Sequence, residues 1–332
     1  MTNTCSTCGT PYEPGDRFCE ECGKKLPIPS AVGLSPCAAC GSTEFDADGY
    51  CIGCGTKQEP PHATHGEAVV GPGLAAATDV GLSHNRNDDA FAVDGQPQGG
   101  TGATLVVCDG VSRSQSPDVA SAAAANVARN IVAHAAQFGG DVEAAMREAI
   151  VKAHETVCAV PYDRQHPLDP PAATIVMASA KRLDARRWAV TVGWLGDSRI
   201  YWIARTGNGM VLTRDHSWFN EVVASGEMTE AEAAKDPRAH AITKCLGTVD
   251  FSQPTPCPEP DVRTVEVTGD GWLVACTDGL WNYAPTPLTL AQAANGQLWT
   301  DGAIDICRRL VAFANDKGGQ DNITVAMARL GD

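Results

Sequence analysis

Two sets of residues in this chain can do chemistry by type and spacing. The first is four Cys-x-x-Cys pairs: Cys5/Cys8, Cys19/Cys22, Cys37/Cys40 and Cys51/Cys54. Each cysteine of the first two pairs maps onto one of the last two at an offset of 32 residues, and a glycine (Gly9, Gly23, Gly41, Gly55) follows every pair. That is a tandem repeat. Two cysteines so spaced, with a turn between them, aim both thiolates at one ion. Two such knuckles close a tetrahedral four-sulfur site with no open position for a substrate. A segment this short has too little apolar surface to fold alone, so the metal supplies most of its folding free energy. The rivals are a disulfide framework, which belongs to oxidising compartments, and a redox dithiol, which does not come as four evenly placed pairs. The spacing predicts two structural Zn²⁺ ions.

The second set is aspartate. Asp109 and Asp278 each end an apolar run, Asp197 sits in a Gly-Asp-Ser turn, Asp321 stands just ahead of the last apolar run, and Asp88 and Asp89 are adjacent upstream. Taken singly, an acid at such a place is a turn residue bonding its own backbone. Several converging at strand ends would repel one another unless a hard divalent cation neutralised them. An all-oxygen ligand set suits Mg²⁺ or Mn²⁺.

For those aspartates to meet, the segments that carry them must end at one edge of one body. Short β-like runs occur at 104–108, 174–180, 188–195, 199–204, 262–267, 272–276 and 323–328. Two helices separate the first run from the second. Ser116 reads as the cap of one, with Pro117 at its first position, running to about residue 137. The other starts near Asp141, with Val142, Ala145, Met146, Ala149, Ile150, Ala153 and Val157 on one face at helical spacing. Thr229 with Glu232 is a capping-box signature before a short helix, and Ile304, Cys307, Val311 and Ala314 mark a late one. Helices that come in pairs between hairpin-connected strands favour an α+β fold with an antiparallel core over a doubly wound one. Residues 58–73, rich in Pro, Gly and His, read as a linker. The expected division is tandem ribbons at 3–57, that linker, and one domain at 74–332.

Charge limits the partners. Forty acidic against 25 basic residues give a net charge of -15, which makes nucleic acid an unlikely partner, because affinity for the phosphate backbone comes largely from Lys and Arg displacing counterions. The ribbons carry Arg17, Lys24, Lys25 and Lys57 against Glu13, Asp16, Glu20, Glu21, Glu44, Asp46 and Asp48, with no interleaved aromatic platform. Docking or regulation is the better reading for them. No run of about 18 apolar residues suits a membrane span, and the polar start has no apolar signal core. The expectation is a reduced, cytoplasmic protein with no membrane partner.

The cysteine repeat resembles a double zinc ribbon. Downstream, Thr78-Asp-Val-Gly-Leu82 with Asn87-Asp-Asp-Ala-Phe91, then Val107-Cys-Asp-Gly110, Gly196-Asp-Ser-Arg199, Leu212-Thr-Arg-Asp-His-Ser217, Cys276-Thr-Asp-Gly-Leu-Trp281 and Gln320-Asp-Asn-Ile-Thr-Val325 stand in the order seen in metal-dependent type 2C serine/threonine phosphatases. Each motif alone is weak; six in order are specific. Residues 220–247 resemble the flap of the bacterial branch. The resemblance implies an αββα sandwich: two packed antiparallel sheets flanked by helices, preceded here by two small zinc ribbons. It also implies roles. Asp109 bridges two Mg²⁺ or Mn²⁺ ions and Gly110 offers its carbonyl to one; Asp278 and Asp321 complete the first site and Asp88 serves the second. Asp89 holds waters around the metals, and Asp197 with Asp278 forms a weaker third site. A hydroxide held between the two ions attacks phosphorus in line, without a phosphoenzyme. The implied substrates are Ser/Thr-phosphorylated proteins, a cognate kinase among them.

Three positions depart from the family pattern. His84 stands where the family has its phosphate-gripping Arg, with Arg86 two residues further on; imidazole binds phosphate well only when protonated, and without the fork of Arg. Val111-Ser112 replaces a further glycine. Asp88 is one methylene shorter than the usual Glu and must reach its metal through water or a backbone shift. A catalytically weakened phosphoprotein sensor is the alternative these departures raise. Cys158 and Arg164 also show the Cys-x5-Arg spacing of cysteine-dependent phosphatases. Pro161 removes a backbone donor such a cradle needs, Cys158 falls at a helix end, and this composition supplies roughly one such match by chance.

Overall fold

The computed structural model describes residues 64–96, 102–247, 256–295 and 297–331, and before them 3–4, 8, 11–12, 42 and 50–55. The chain divides into two units, Met1–Ala63 and Thr64–Asp332.

In the first unit β1 (Asn3–Thr4) pairs antiparallel with β2 (Pro11–Tyr12). Of the eight repeat cysteines, Cys5, Cys19, Cys22, Cys37 and Cys40 lie outside the described residues; Cys51 is buried, and Cys8 and Cys54 are exposed. At the last pair the backbone N–H of Gly55 donates to the Cys51 carbonyl at 2.8 Å. Gly55 has φ 73°, a conformation only glycine adopts freely. That turn gives the glycine after this pair its physical reason.

The second unit is built on two antiparallel sheets. One runs β11 (Gly209–Val211), β10 (Arg199–Ala204), β14 (Gly271–Cys276), β15 (Ile323–Leu330), β4 (Leu74–Asp79), β3 (His65–Gly71). The other runs β13 (Asp261–Thr268), β9 (Arg187–Leu195), β8 (Ile175–Arg182), β6 (Gly102–Asp109), β5 (Asp89–Gln96). A two-stranded ribbon of β7 (Ala172–Ala173) and β12 (Leu246–Gly247) lies apart. The central strands read as unbroken apolar runs because both of their faces are buried. Leu105, Val107, Val176, Ala178, Leu273, Ala275, Ala326 and Ala328 meet in the layer between the sheets. The alternate residues Val106, Cys108, Ile175 and Met177 pack under α1 (Pro117–Phe138) and α2 (Val142–Cys158). On the far side Trp272, Val274, Val325 and Met327 pack under α7 (Ala303–Asp316), with α5 (Asp278–Trp281) and α6 (Pro287–Ala293) beside it. This is the αββα sandwich. Cys108, Cys276, Trp188, Trp194 and Trp272 are core residues within it.

Two sequence expectations need correction. The linker at 58–73 is part strand: β3 pairs along β4, closed by a turn at Pro72 and Gly73. An edge strand leaves one side in solvent (Val69 is 59 % exposed) and tolerates the glycines and polar residues that read as a linker. Ser116 does not cap α1. It sits in the left-handed region at φ 49° with no side-chain capping bond, and Pro117 alone marks the start. Asp141 does cap α2, accepting from the Ala144 N–H at 3.1 Å. Thr229 and Glu232 form the capping box that opens α4 (Glu230–Ala233). Among the described residues no helix is long and apolar enough to cross a membrane.

Candidate active site

The aspartates gather where strands of both sheets end. Asp89 opens β5 and Asp109 closes β6, and the two stand opposite each other in the ladder. From the other sheet, β14 ends at Cys276 against Val325 of β15. Thr277 follows as the residue before α5, so Asp278 opens that helix, and Asp321 lies two residues ahead of β15. Asp197 occupies the β9–β10 turn, whose sharpness rests on Gly196 at φ 111°. Gly110 is fixed by crowding: a Cβ there would stand 2.5 Å from the Pro117 carbonyl oxygen and 2.6 Å from that of Asp88.

These carboxylates raise one another. Burial pushes Asp89 well above the usual carboxylate range, the neighbouring Asp278 and Asp321 add to it, and hydroxyl bonds from Thr324 and Thr277 oppose it. Asp109 is pushed the same way, first by burial and then by Asp89, Asp278, Asp197 and Asp321. Burial, with Asp278 and Asp215, lifts Asp197 to about 7. Asp278 rises to about 6 through burial and Asp321, against hydrogen bonds that include Asn282. Two buried oxygens, Asp89 Oδ1 and Asp278 Oδ1, have no hydrogen-bond partner. Orphaned carboxylate oxygens among mutually repelling acids fit hard divalent cations. Among the described residues no three His, Cys, Asp or Glu side chains are drawn close enough together to form a ready cage for a metal ion. Asp197, Asp278 and Asp321 border an open cavity of about 480 Å³, with His240 on its rim.

His84 stands at this site, its Nε2 3.4 Å from Asp321 Oδ1. Arg86 is turned elsewhere: its Nε and Nη2 grip the two oxygens of Asp88, the latter at 3.2 Å. The backbone of Asp88 is held as well. Its N–H donates to Asn322 Oδ1 at 2.7 Å, and its carbonyl accepts from the Gly110 N–H at 3.1 Å and the Ser121 hydroxyl at 2.6 Å. Of the two ways the short side chain could reach a cation, the backbone shift is therefore opposed by three hydrogen bonds.

Sequence reasoning missed the supports. Thr277 Oγ1 donates to Asp89 Oδ2 at 2.9 Å and accepts from the Thr324 N–H at 3.0 Å, while the Thr78 and Thr324 hydroxyls bond at 2.6 Å. Asn322 Nδ2 donates to the carbonyls of Val80 at 2.8 Å and Arg86 at 3.1 Å. The only sequence signal for these groups is that each lies beside a motif aspartate or inside its motif. Residues 220–247 hold most of α3 (Trp218–Ser225) and all of α4, and Phe219, Asn220 and His240 line a second cavity of about 270 Å³ with Asp197, Arg199 and Asp215. Arg199 forks onto Asp215 at 2.9 and 2.7 Å and lies over the Trp281 ring, 3.7 Å from its centroid. His216 is structural. Its Nδ1 accepts from the Gly196 N–H at 3.1 Å, so its Nε2 faces Asp261, 2.6 Å away, as a donor. Cys158 ends α2, away from any helix start.

Comparison with known proteins agrees with this architecture. Residues 5–55 match the double zinc ribbon family and residues 81–295 match the protein phosphatase 2C family. A putative protein phosphatase 2C-type from Streptococcus pyogenes is 34% identical over 133 residues, covering 40% of this chain and 50% of the relative; the match spans about half of that relative's length. The structure of the PPM Ser-Thr phosphatase MsPP from Mycobacterium smegmatis aligns at 28% identity and a TM-score of 0.57, over 78% of this chain and 98% of that one. The catalytic domain of the serine/threonine protein phosphatase PstP, in complex with two manganese ions, aligns at 22% identity and a TM-score of 0.55, over 80% of this chain and 98% of that one. Behind an N-terminal double zinc ribbon, this chain belongs to the protein phosphatase 2C family.

Proposed function

We propose that the chain is a metal-dependent serine/threonine phosphoprotein phosphatase that hydrolyses phosphomonoesters. The observation that carries this reading is the row of mutually raised carboxylates with orphaned oxygens beside an open cavity. Asp109, Asp278 and Asp321 would hold one Mn²⁺ or Mg²⁺, and the Gly110 carbonyl would be offered to one of the two ions that Asp109 shares. Asp109 and Asp88 would hold a second, and Asp197 with Asp278 a weaker third. Two such ions, when bound, lower the pKa of a shared water and neutralise phosphate oxygens. The chain's own residues do the positioning. Thr277 and Thr324 aim Asp89 into the site, where its free Oδ1 can hold water. Asn282 Nδ2 steadies Asp278 Oδ2 at 3.2 Å, leaving Oδ1 open. His84 supplies an N–H toward a phosphate oxygen, and the flap walls off one side of the substrate.

The ribbons, holding one Zn²⁺ each, would select the partner, a Ser/Thr-phosphorylated protein such as a cognate kinase. If removing residues 1–57 alters neither partner binding nor turnover of a protein substrate, that role is excluded. The grip of Arg86 on Asp88 favours a second reading, a phosphoprotein sensor with weakened hydrolysis. One experiment separates them: turnover of a phosphothreonine peptide by the zinc-loaded chain, with Mn²⁺ added back after chelation, beside Asp278→Ala. The phosphatase reading expects Mn²⁺-dependent turnover that the substitution abolishes; an intact protein that binds the peptide without turning it over is a sensor.

A further inference from the structure

Arg86 and Asp88 form a pair that a cation site at Asp88 does not need. Asp88 is buried, with its side chain 7% exposed, while that of Arg86 is 35% exposed. Both carboxylate oxygens face guanidinium nitrogens, the planar two-point geometry that makes this the strongest kind of side-chain ion pair. A second acid stands near the guanidinium: Asp118 Oδ1 lies 3.9 Å from the same Nε. The backbone of this segment is fixed. Asn322 holds the Arg86 carbonyl and the Asp88 N–H together, and Gly110 and Ser121 hold the Asp88 carbonyl. Only side chains are left to move. Asp88 is too short to lean toward a cation while keeping its bonds to Arg86. Arg86, about a third exposed and already near Asp118, has somewhere to go.

Resting on the phosphatase reading above, we propose that Arg86 is a built-in competitor for the second divalent cation: its guanidinium occupies Asp88, and a cation reaches that carboxylate only by displacing it toward Asp118. The first site, on Asp109, Asp278 and Asp321, faces no such guanidinium fork among the described residues; its basic neighbour is the His84 imidazole, a single contact 3.4 Å from Asp321 Oδ1. The two cations therefore bind in a fixed order, and the second step sets the concentration of free cation at which the site is complete.

The test is Mn²⁺ titration of the full, zinc-loaded chain, followed by calorimetry and by electron paramagnetic resonance of free Mn²⁺. The wild type is expected to show one tight step and one weaker step. Arg86→Ala should tighten the second step about tenfold, roughly one charge-assisted hydrogen bond, and leave the first step unchanged. Asp118→Asn removes the refuge and should shift the second step the opposite way. Arg86→Lys keeps the charge but loses the fork and should fall between wild type and Arg86→Ala. A second step that Arg86→Ala and Arg86→Lys leave unchanged or weaken, in proteins with native circular dichroism and melting, overturns the competitor. A wild type that takes up no Mn²⁺ at all overturns the phosphatase reading with it.

Discussion

The two flanks of the carboxylate row are built on opposite terms. Asp89, Asp109 and Asp278 are crowded by acids, and two of them carry an oxygen with no partner. Asp88, one residue from Asp89, has a guanidinium on both oxygens and three hydrogen bonds on its backbone. A partner-poor acid costs the fold free energy; a partner-rich acid is already balanced by its guanidinium and holds the loop. Distance from the site does not separate the two kinds. Satisfaction does.

That contrast can be broken most directly at Asp109. If its charge serves a cation, Asp109→Asn should lower Mn²⁺-dependent turnover about 10³-fold, since metal stabilisation of the transition state is worth several kcal/mol. The same substitution should raise the melting temperature of the cation-free chain, because a mutually repelled acid has been removed; a lower melting temperature would make Asp109 structural. The next effect in size is the pH dependence of stability. Asp278 at about 6 and Asp197 at about 7 hold protons more tightly folded than unfolded. Between about pH 4 and 7 the native state thus binds more protons, and stability falls as pH rises through that window. Thermal melts of zinc-loaded, otherwise cation-free chain should drop from pH 5 to pH 8, and saturating Mn²⁺ should flatten the profile. A cation-free profile that rises instead would contradict the crowding of this flank. The smallest effect is at His84, which has one acid neighbour at 3.4 Å and no fork. His84→Ala should raise KM for a phosphopeptide about fivefold, the scale of one hydrogen bond, with kcat less affected. An unchanged KM removes His84 from phosphate binding.

Much of this could be read before folding. The two-residue cysteine spacing and the repeat offset are local patterns, and so are the apolar runs that stop at Asp109 and Asp278. The segment of β3 was not legible, because an edge strand has no buried face to impose alternation. Nor was the bond chain through Thr78, Thr277 and Thr324. Those residues come from three distant parts of the chain, and only the pairing of β4 and β14 with β15 brings them together. The Arg86–Asp88 fork lies between near neighbours in sequence, yet side-chain direction decides it, and no periodicity encodes direction in a loop.

The place of β15 has a consequence for synthesis. It lies between β14 and β4, so the ribosome delivers both neighbours long before the strand that joins them. Until residues 323–330 emerge, the six-stranded sheet is two separate pieces with two open edges, and Asp321 has not yet joined Asp109 and Asp278. Every growing chain shorter than that carries the acids without the arrangement. Completion of the cluster waits on β15, whose pairing with β4 joins segments far apart in sequence, the kind of contact that forms slowly.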